Sequence, residues 1–466
     1  MKKYFVLLLL LLPMVVLAVW DMDTVDINKW RCVFDNKGRL GFDSISNMAG
    51  GYWPYPTRNF YIYGAGPWIG ATIGSESLVT LGYNPNTSFC EMMTTLCRYW
   101  RAGYTNPLDR IYQYPGDWPP PSSRFPMAPL TSRSQRDFWC CFGDSDPSRH
   151  SSGGRPLGID IALTIYGFSD SIAQNFFFLK YDLMNNNSYT INNVYFGIVV
   201  DGDIGDATDD MVGLIRDRYF TVGTRTFRVR NTGFLYDNNN LEATSATWAS
   251  GTPGAVALRL LSAPAGLNMT AFKIFALSVD PMTDLYQYRT LAGYNYQTGQ
   301  YQPFDSVDVT PSDKRMLLSS GPLNLAPLTS ASFHYAIIAA PYGAAGAPAN
   351  NRDTSELALQ CYLADSIYTA RILGIEEAPK PSTHYNSIKI SPNPFKTTLF
   401  ISSLLNQRLQ TEIYNANGML VKTLNGTHLI WNGKDNKEHT LPSGIYFLRI
   451  HQQAETMTSK VLLIRD

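Results

Sequence analysis

Five carboxylates fall within ten residues of this sequence, in Asp201-Gly-Asp203-Ile-Gly-Asp206-Ala-Thr-Asp209-Asp210. Like charges packed this closely repel one another unless water or a cation neutralises them. A hard cation such as Ca2+ suits the pattern, because it takes several oxygen ligands from a short, turning loop. Gly202 and Gly205 let the backbone turn and offer carbonyls. Asp201, Asp203, Asp206, Asp209 and Asp210 are therefore the candidate metal ligands, with Ca2+ as the candidate ion. The spacing is not that of an EF-hand. Counted from Asp201, the glycine position holds Asp206 and the bidentate-glutamate position holds Val212. The competing reading is a solvated acidic loop that uses Asp as a turn former.

Other chemistry finds little support. Of six histidines, His384, His428, His439 and His451 lie in the last fifth of the chain, leaving His150 and His334. His334 sits in an apolar run and reads as a core residue, while His150 lies in what reads as an exposed polar loop, Asp144 to Gly154. There is no His-Glu-x-x-His zinc motif and no Gly-x-Ser-x-Gly nucleophile elbow. Gly64-Ala-Gly66 is followed by Pro-Trp in a strand-like setting, unlike a phosphate loop. A glycosidase needs only two facing acids. The region before residue 376 is nevertheless poor in glutamate, with Glu76, Glu91, Glu242 and Glu356. No catalytic residue and no organic cofactor are indicated.

The elements that position the acidic loop read as strands. Asn59–Gly64, Gly158–Tyr166, Asn175–Tyr181, Val194–Val200 and Phe333–Ala339 are apolar runs of strand length, rich in β-branched and aromatic residues. One helix stands out. Asp353 can cap it with Glu356 as capping-box partner, and Leu357, Cys361, Ala364 and Tyr368 recur at helical spacing. Residues 104–129 carry many prolines, including Trp118-Pro-Pro-Pro121, and read as a rigid surface loop or a contact surface. The expected fold is mainly β: one or two β-sandwich-like domains, then a small Ig-like β-sandwich at the C-terminus.

Composition agrees. Aromatics reach 13% and charged residues only 16%, a balance that suits an extracellular β-rich protein. The last 82 residues hold nine Lys/Arg against five Asp/Glu, with the balance acidic before them, and no strongly basic patch appears. Nucleic acid is thus not an expected partner. Six cysteines permit disulfides in an exported chain, and Cys90 and Cys97 could close a short loop.

Both ends carry addresses. Lys2 and Lys3 precede an apolar run from Tyr4 to Ala18, with Val16-x-Ala18 before a plausible cut. Residues 1–18 read as a secretory signal, and no later stretch is comparably apolar, so no transmembrane segment is expected in the mature chain. The end runs Ser391-Pro-Asn-Pro-Phe395, then a hairpin around Asn415-Ala-Asn-Gly418, then Pro442-Ser-Gly-Ile-Tyr-Phe-Leu-Arg449, then Lys460-Val-Leu-Leu-Ile-Arg465. In this order the blocks, over roughly 386–466, resemble the type A sorting domain of type IX secretion, found in Bacteroidota and their relatives. Lys437-Glu-His439 departs from the family by standing where a glycine-containing turn is usual. The resemblance implies recognition by the type IX machinery at the outer membrane. It also implies removal of the tail as the cargo is released or attached to surface polysaccharide. The stretch from Arg155-Pro-Leu-Gly158 to Met211-Val-Gly213 is similar to uncharacterised secreted proteins with such tails.

The expected organisation is a signal at 1–18, a β-rich working region at 19–378, a linker at 379–385 and a sorting domain at 386–466. The working region is expected to be non-catalytic, with a structural, adhesive or glycan-binding role. The alternative is a secreted hydrolase of polysaccharide or protein.

Overall fold

The computed structural model describes residues 20–373 and 388–465, leaving out 103–105, 151–153, 306–307, 349–352, 404–406, 416–417 and 453–454. The expected signal at 1–18 and the linker at 379–385 lie outside the described residues. Backbone contacts divide the chain into two compact units, one through Gly374 and one from Ile375.

Continuous apolar runs decide the architecture of the large unit. Every residue of Ile159–Gly167 is buried, which is the signature of a strand covered on both faces. It belongs to an eight-stranded antiparallel sheet in the spatial order Asp210–Val222, Arg225–Asp237, Gly254–Ser262, Ser330–Pro341, Phe176–Asn185, Ile159–Gly167, Arg136–Gly143, Tyr112–Tyr114. A second sheet of five strands runs Ala271–Ala276, Lys314–Leu325, Ile191–Asp201, Gly64–Ile73, Glu76–Leu81. Their inner faces share one core. Phe196 of the smaller sheet stacks on Phe333 of the larger at 4.5 Å and meets Tyr181 at 5.2 Å. This is sheet-on-sheet packing, so the unit is a single large sandwich rather than two. Each such aromatic, once buried, contributes about 2–3 kcal/mol. A four-stranded sheet formed by Met22–Val25, Arg31–Asp35, Gly51–Tyr52 and Phe60–Ile62 adds Val25, Cys32, Phe34 and Ile62 to that core.

Helices cover the outer faces. Helix α1 (Asp284–Leu291) lies on the five-stranded sheet, and its Leu291 enters a slot left by two glycines. A Cβ on Gly70 or Gly197 would come within 2.8 Å of that leucine. Helix α2 (Ser355–Ile367) covers the larger sheet. Leu357, Cys361, Ala364 and Tyr368 all face inward, as their spacing predicts. The capping differs from expectation. Asp353 accepts from the Ser355 N–H at 2.9 Å, while Glu356 accepts from Gln360 instead of closing a capping box. Buried Arg259 ties α2 to the sheet through a two-pronged pair with Asp365, at 2.8 and 2.6 Å.

Two expectations need correction. All six cysteines are free: Cys90 Sγ points at the Lys37 carbonyl and Cys97 Sγ at that of Ile159, so the short disulfide loop does not form. The proline-rich segment is not simply a surface loop, because Tyr112 and Phe125 pack on Trp139 and Arg124 makes a buried ion pair with Asp109.

The tail unit is a small sandwich. Ile388–Ser391, Leu399–Ser403 and His428–Trp431 face Leu420–Gly426, Leu409–Asn415, Gly444–Gln452 and Glu455–Leu463. Alternation makes its core: along Tyr446–Ile450, Tyr446, Leu448 and Ile450 point in while Phe447 and Arg449 point out. Trp431 sits between Phe395 and Tyr446 at 5.3 and 5.1 Å. Glu438 occupies the turn where a glycine is usual in the resembling family, and its φ of 66° is the left-handed conformation glycine favours.

Candidate metal centre

The acidic loop crosses between layers. Asp201 ends a strand of the five-stranded sheet, and Asp210 begins the edge strand of the eight-stranded sheet. Gly205 is required twice over. Its φ is +74°, and a Cβ there would lie 2.3 Å from the Glu242 side chain folded over the turn. The crossing separates the five aspartates into different surroundings.

Asp201 and Asp203 join Asp313, with carboxylate oxygens all within 4.8 Å of one another. Here the chain supplies its own cation. Arg315 stands opposite Asp201 in the ladder, and its Nε lies 3.0 Å from Asp201 Oδ1. Its Nη1 donates to Asp313 Oδ1 at 2.5 Å. The Tyr83 hydroxyl donates to Asp201 Oδ2 at 2.8 Å. Burial works to raise the Asp201 carboxyl, and Arg315 and Tyr83 work against it. Because a guanidinium does not give up its proton, the ionised carboxylate is the form these partners fit. Burial, reinforced by Asp313 and opposed by Arg315, pushes Asp203 up to about 7. Asp280 adds a further buried acid within the fields of Arg315 and Asp313, and neither of its oxygens has a hydrogen-bond donor.

Asp209 belongs to a second group with Asp237 and Glu242, again with oxygens within 4.8 Å of one another. Asp209 Oδ2 accepts from Asn239 Nδ2 at 2.8 Å, while its Oδ1 is enclosed without a donor. Burial and the charge of Asp237 push Asp209 up to about 6. Asp210 is fully buried and stands directly opposite Asp237 in the ladder. Its Oδ2 takes a long bond from the Ile204 N–H at 3.3 Å, and its Oδ1 has no donor. Burial raises it far above the usual carboxylate range, and Asp203, Asp209 and Asp237 add to this.

Asp206 joins neither group. It is exposed and caps the turn Ala207–Asp209, accepting from Thr208 N at 3.0 Å and Thr208 Oγ1 at 2.8 Å. Those bonds hold its carboxyl below the usual range. Sequence reasoning missed Asp313, Arg315, Asp237, Glu242 and Asp280. They arrive from strand ends and turns far along the chain, and only the turn-forming run Asn238-Asn-Asn240 after Asp237 hinted at a loop there.

The two histidines outside the C-terminal part are also placed. His334, expected in the core, lies half-buried on its strand, against Tyr368. His150 departs from expectation. Its ring is turned inward, with Nε2 3.1 Å from the Asp144 carbonyl and Nδ1 3.8 Å from Glu91.

Among the described residues no helix is long and apolar enough to cross a membrane. No curated protein matches the chain. Similarity to solved structures is slight. PorZ, a surface component of the type IX secretion system of Porphyromonas gingivalis, aligns at 17% identity over 19% of this chain and 13% of its own, with a TM-score of 0.16. A polysaccharide lyase aligns at 9% identity over 96% of this chain and 46% of its own, with a TM-score of 0.24. Dimeric latent PorU from Porphyromonas gingivalis aligns at 12% identity over 62% of this chain and 32% of its own, with a TM-score of 0.15. The chain thus spans less than half the length of each, and at such scores none bears on what the sandwich does. The tail is different: residues 389–464 match the secretion system C-terminal sorting domain, which makes this a protein exported by type IX secretion to the cell surface or the extracellular space.

Proposed function

We propose that the working part of this protein is a non-catalytic surface module, structural, adhesive or glycan-binding, whose acidic crossover loop holds a divalent cation such as Ca2+. Its partners are the type IX machinery, through the tail, and a surface polysaccharide or other glycan. The observation that carries the export half is the match of residues 389–464. The non-catalytic half is supported by how the glutamates of the large unit are used. Glu76 pairs with Arg155 at 2.9 Å, buried Glu91 accepts from the Leu81 N–H, Glu242 accepts from the Asp206 N–H, and Glu356 accepts from Gln360. Each has a structural partner. The cation is supported by the density of buried carboxylates at one crossover, since buried charge is costly until paired or coordinated.

Glycan-array and whole-cell binding without turnover are the expected results for the purified protein. Release of reducing sugar or peptide, abolished by Asp203→Ala, would favour the hydrolase reading instead. Residues 1–18 act as the secretory signal, and the tail is cut within Pro379–Tyr385, where the chain is polar and proline-containing. Mass spectrometry of secreted material checks both cuts, and an intact C-terminus on all mature protein would refute the second.

A further inference from the structure

We infer that an arginine-bearing hairpin at the edge of the larger sheet binds an acidic polysaccharide, one with carboxylate or phosphate groups along its chain. This rests on the reading above that the partner is a glycan, and gives that partner a place and a charge.

The hairpin is built from the first two strands of the eight-stranded sheet. Asp210–Val222 pairs with Arg225–Asp237 from Asp210 opposite Asp237 out to Val222 opposite Arg225. The third strand joins the second only over Thr232–Tyr236. The half from Arg216 to Arg230 therefore runs on as a two-stranded ribbon, about 20 Å long at the usual rise of a strand. Phe220, Phe227 and Val229 are buried in the core shared with α2, and Phe227 stacks on Tyr362 at 4.8 Å. That packing holds the ribbon in place and leaves its polar side chains outside.

Its charge is of one sign. Arg216, Arg218, Arg225, Arg228 and Arg230 are all exposed, against a single acid, Asp217. The sequence holds no basic run here, and it is the pairing of the two strands that gathers the charges. Asp217 is taken by Arg228, whose Nε donates to Oδ1 at 2.6 Å. Among the described residues, Arg216, Arg218, Arg225 and Arg230 make no ion pair. The balance of the chain before its last 82 residues is acidic, so the ribbon is a positive island. Charges on an edge strand also discourage edge-to-edge pairing. That role needs charge of either sign and is well served by lysine, whereas the ribbon has five arginines and no lysine.

The side chains select the partner. The planar fork of a guanidinium matches a carboxylate or a phosphate with two parallel hydrogen bonds. Rings support four of the forks: Arg216 lies 4.1 Å over Phe304, Arg218 4.9 Å over Phe220, Arg225 5.6 Å over Tyr362 and Arg228 5.8 Å over Tyr219. Strand alternation sends Arg218 and Arg225 out on the face of Phe220 and Phe227, and Arg228 and Arg230 out on the other. A flat bilayer or a stiff duplex meets one face of such a ribbon, whereas a flexible polyanion reaches both. The face turned from α2 adds neutral groups that suit sugar. The hydroxyls of Thr221 and Thr226 stand 3.0 Å apart, and Tyr219 is 67% exposed. A tyrosine offers an apolar ring to the C–H face of a sugar and a polar tip to its hydroxyls.

The test measures binding of the full chain to polygalacturonate and phosphomannan, with dextran as the neutral polysaccharide and duplex DNA and phosphatidylglycerol vesicles as other anions. At least one acidic polysaccharide should bind at least tenfold more tightly than dextran, and weaken about tenfold as NaCl rises from about 50 to about 200 mM. Arg218→Gln combined with Arg230→Gln should weaken it at least tenfold. Asp217→Asn should strengthen it, because it frees Arg228. Melting shows that each variant is folded. Should the double variant melt well below the parent, Asp217→Asn carries the test. An acidic polysaccharide bound by the folded double variant as by the parent, or weakened by Asp217→Asn, overturns the hairpin as the site and leaves the glycan reading standing. Binding of dextran alone overturns the charge class and also leaves that reading. Tighter binding of DNA or vesicles than of either acidic polysaccharide overturns the choice of partner. No binding to any polysaccharide removes both the hairpin site and the glycan reading beneath it.

Discussion

One crossover loop feeds two groups of buried and half-buried acids, and they are assembled in different ways. Around Asp201 the chain supplies Arg315 from the facing strand. Around Asp209 and Asp237 the acids stand together, and Asp210 and Asp237 are opposed in the ladder. The physical lesson is that a count of carboxylates does not locate a cation site. What locates it is the positive charge already present, because desolvated carboxylates persist only if something pairs with them. Measured by that rule, the more crowded stretch of the sequence is partly self-neutralised by Arg315, whereas the second group is assembled from residues far apart along the chain.

The sharpest way to break this comparison is to remove the internal cation. Arg315→Met leaves Asp201 buried opposite an apolar side chain, and losing one partner of a buried pair costs about 3–5 kcal/mol. Urea unfolding of the large unit should show a loss of that size. The double variant Arg315→Met with Asp201→Asn should recover much of it, because no uncompensated charge remains. A loss below about 1 kcal/mol would mean that Arg315 is not what holds the first group, and the contrast between the groups would collapse.

Cation binding at the crossover predicts a smaller effect of the opposite kind. At a Ca2+ concentration about 100-fold above its dissociation constant, binding to the folded state adds about 2.7 kcal/mol. The parent should therefore melt higher in CaCl2 than in chelator, and a parent without that difference has no such site. Asp203→Asn and Asp209→Asn, one from each group, then compare the two: a shift lost in only one of them places the ion there.

How much of this was legible in the sequence follows from which signals are local. Strand identity was, because Ile159–Gly167 and Phe176–Asn185 are apolar runs whose length and residue types are decided within the run. The inward face of α2 was, because four residues at helical spacing mark it. The tail was, because its motifs come in order over a short span. The partners of the acidic loop were not. Arg315 reaches Asp201 only through a strand pairing between residues more than a hundred apart, and Asp237 reaches Asp210 only through the return of a long hairpin. His150 misled for the same reason: a polar stretch looks exposed until the fold shows which of its side chains is folded under.

A pH titration sharpens the first group further. Asp280 is buried with no donor to either oxygen, and burial pushes its carboxyl up to about 6, with Arg315 opposing the shift and Asp313 adding to it. A carboxyl whose pKa is raised on folding contributes stability that is complete below its unfolded value, near 4, and is lost as pH rises through about 6. Allowing for solvent at the site, the change is about 1–2 kcal/mol. Asp280→Asn should flatten the stability profile between pH 4 and 7. An unchanged profile would mean that Arg315 already neutralises Asp280 along with Asp201.

The smallest effect asks whether the loop's exposed aspartate belongs to either group. Asp206 accepts from Thr208 N and Oγ1 and so caps the short turn Ala207–Asp209. Asp206→Ala removes that cap, which costs about 1 kcal/mol in ordinary helices and should cost no more in a turn this short. The substitution keeps the Asp206 N–H that donates to Glu242 Oε1 at 3.1 Å, so the second group keeps its geometry. Ca2+ affinity by calorimetry should then stay within twofold of the parent. A tenfold loss would make Asp206 a ligand, and the ion would belong to the exposed turn of the loop instead of to either acid group beside it.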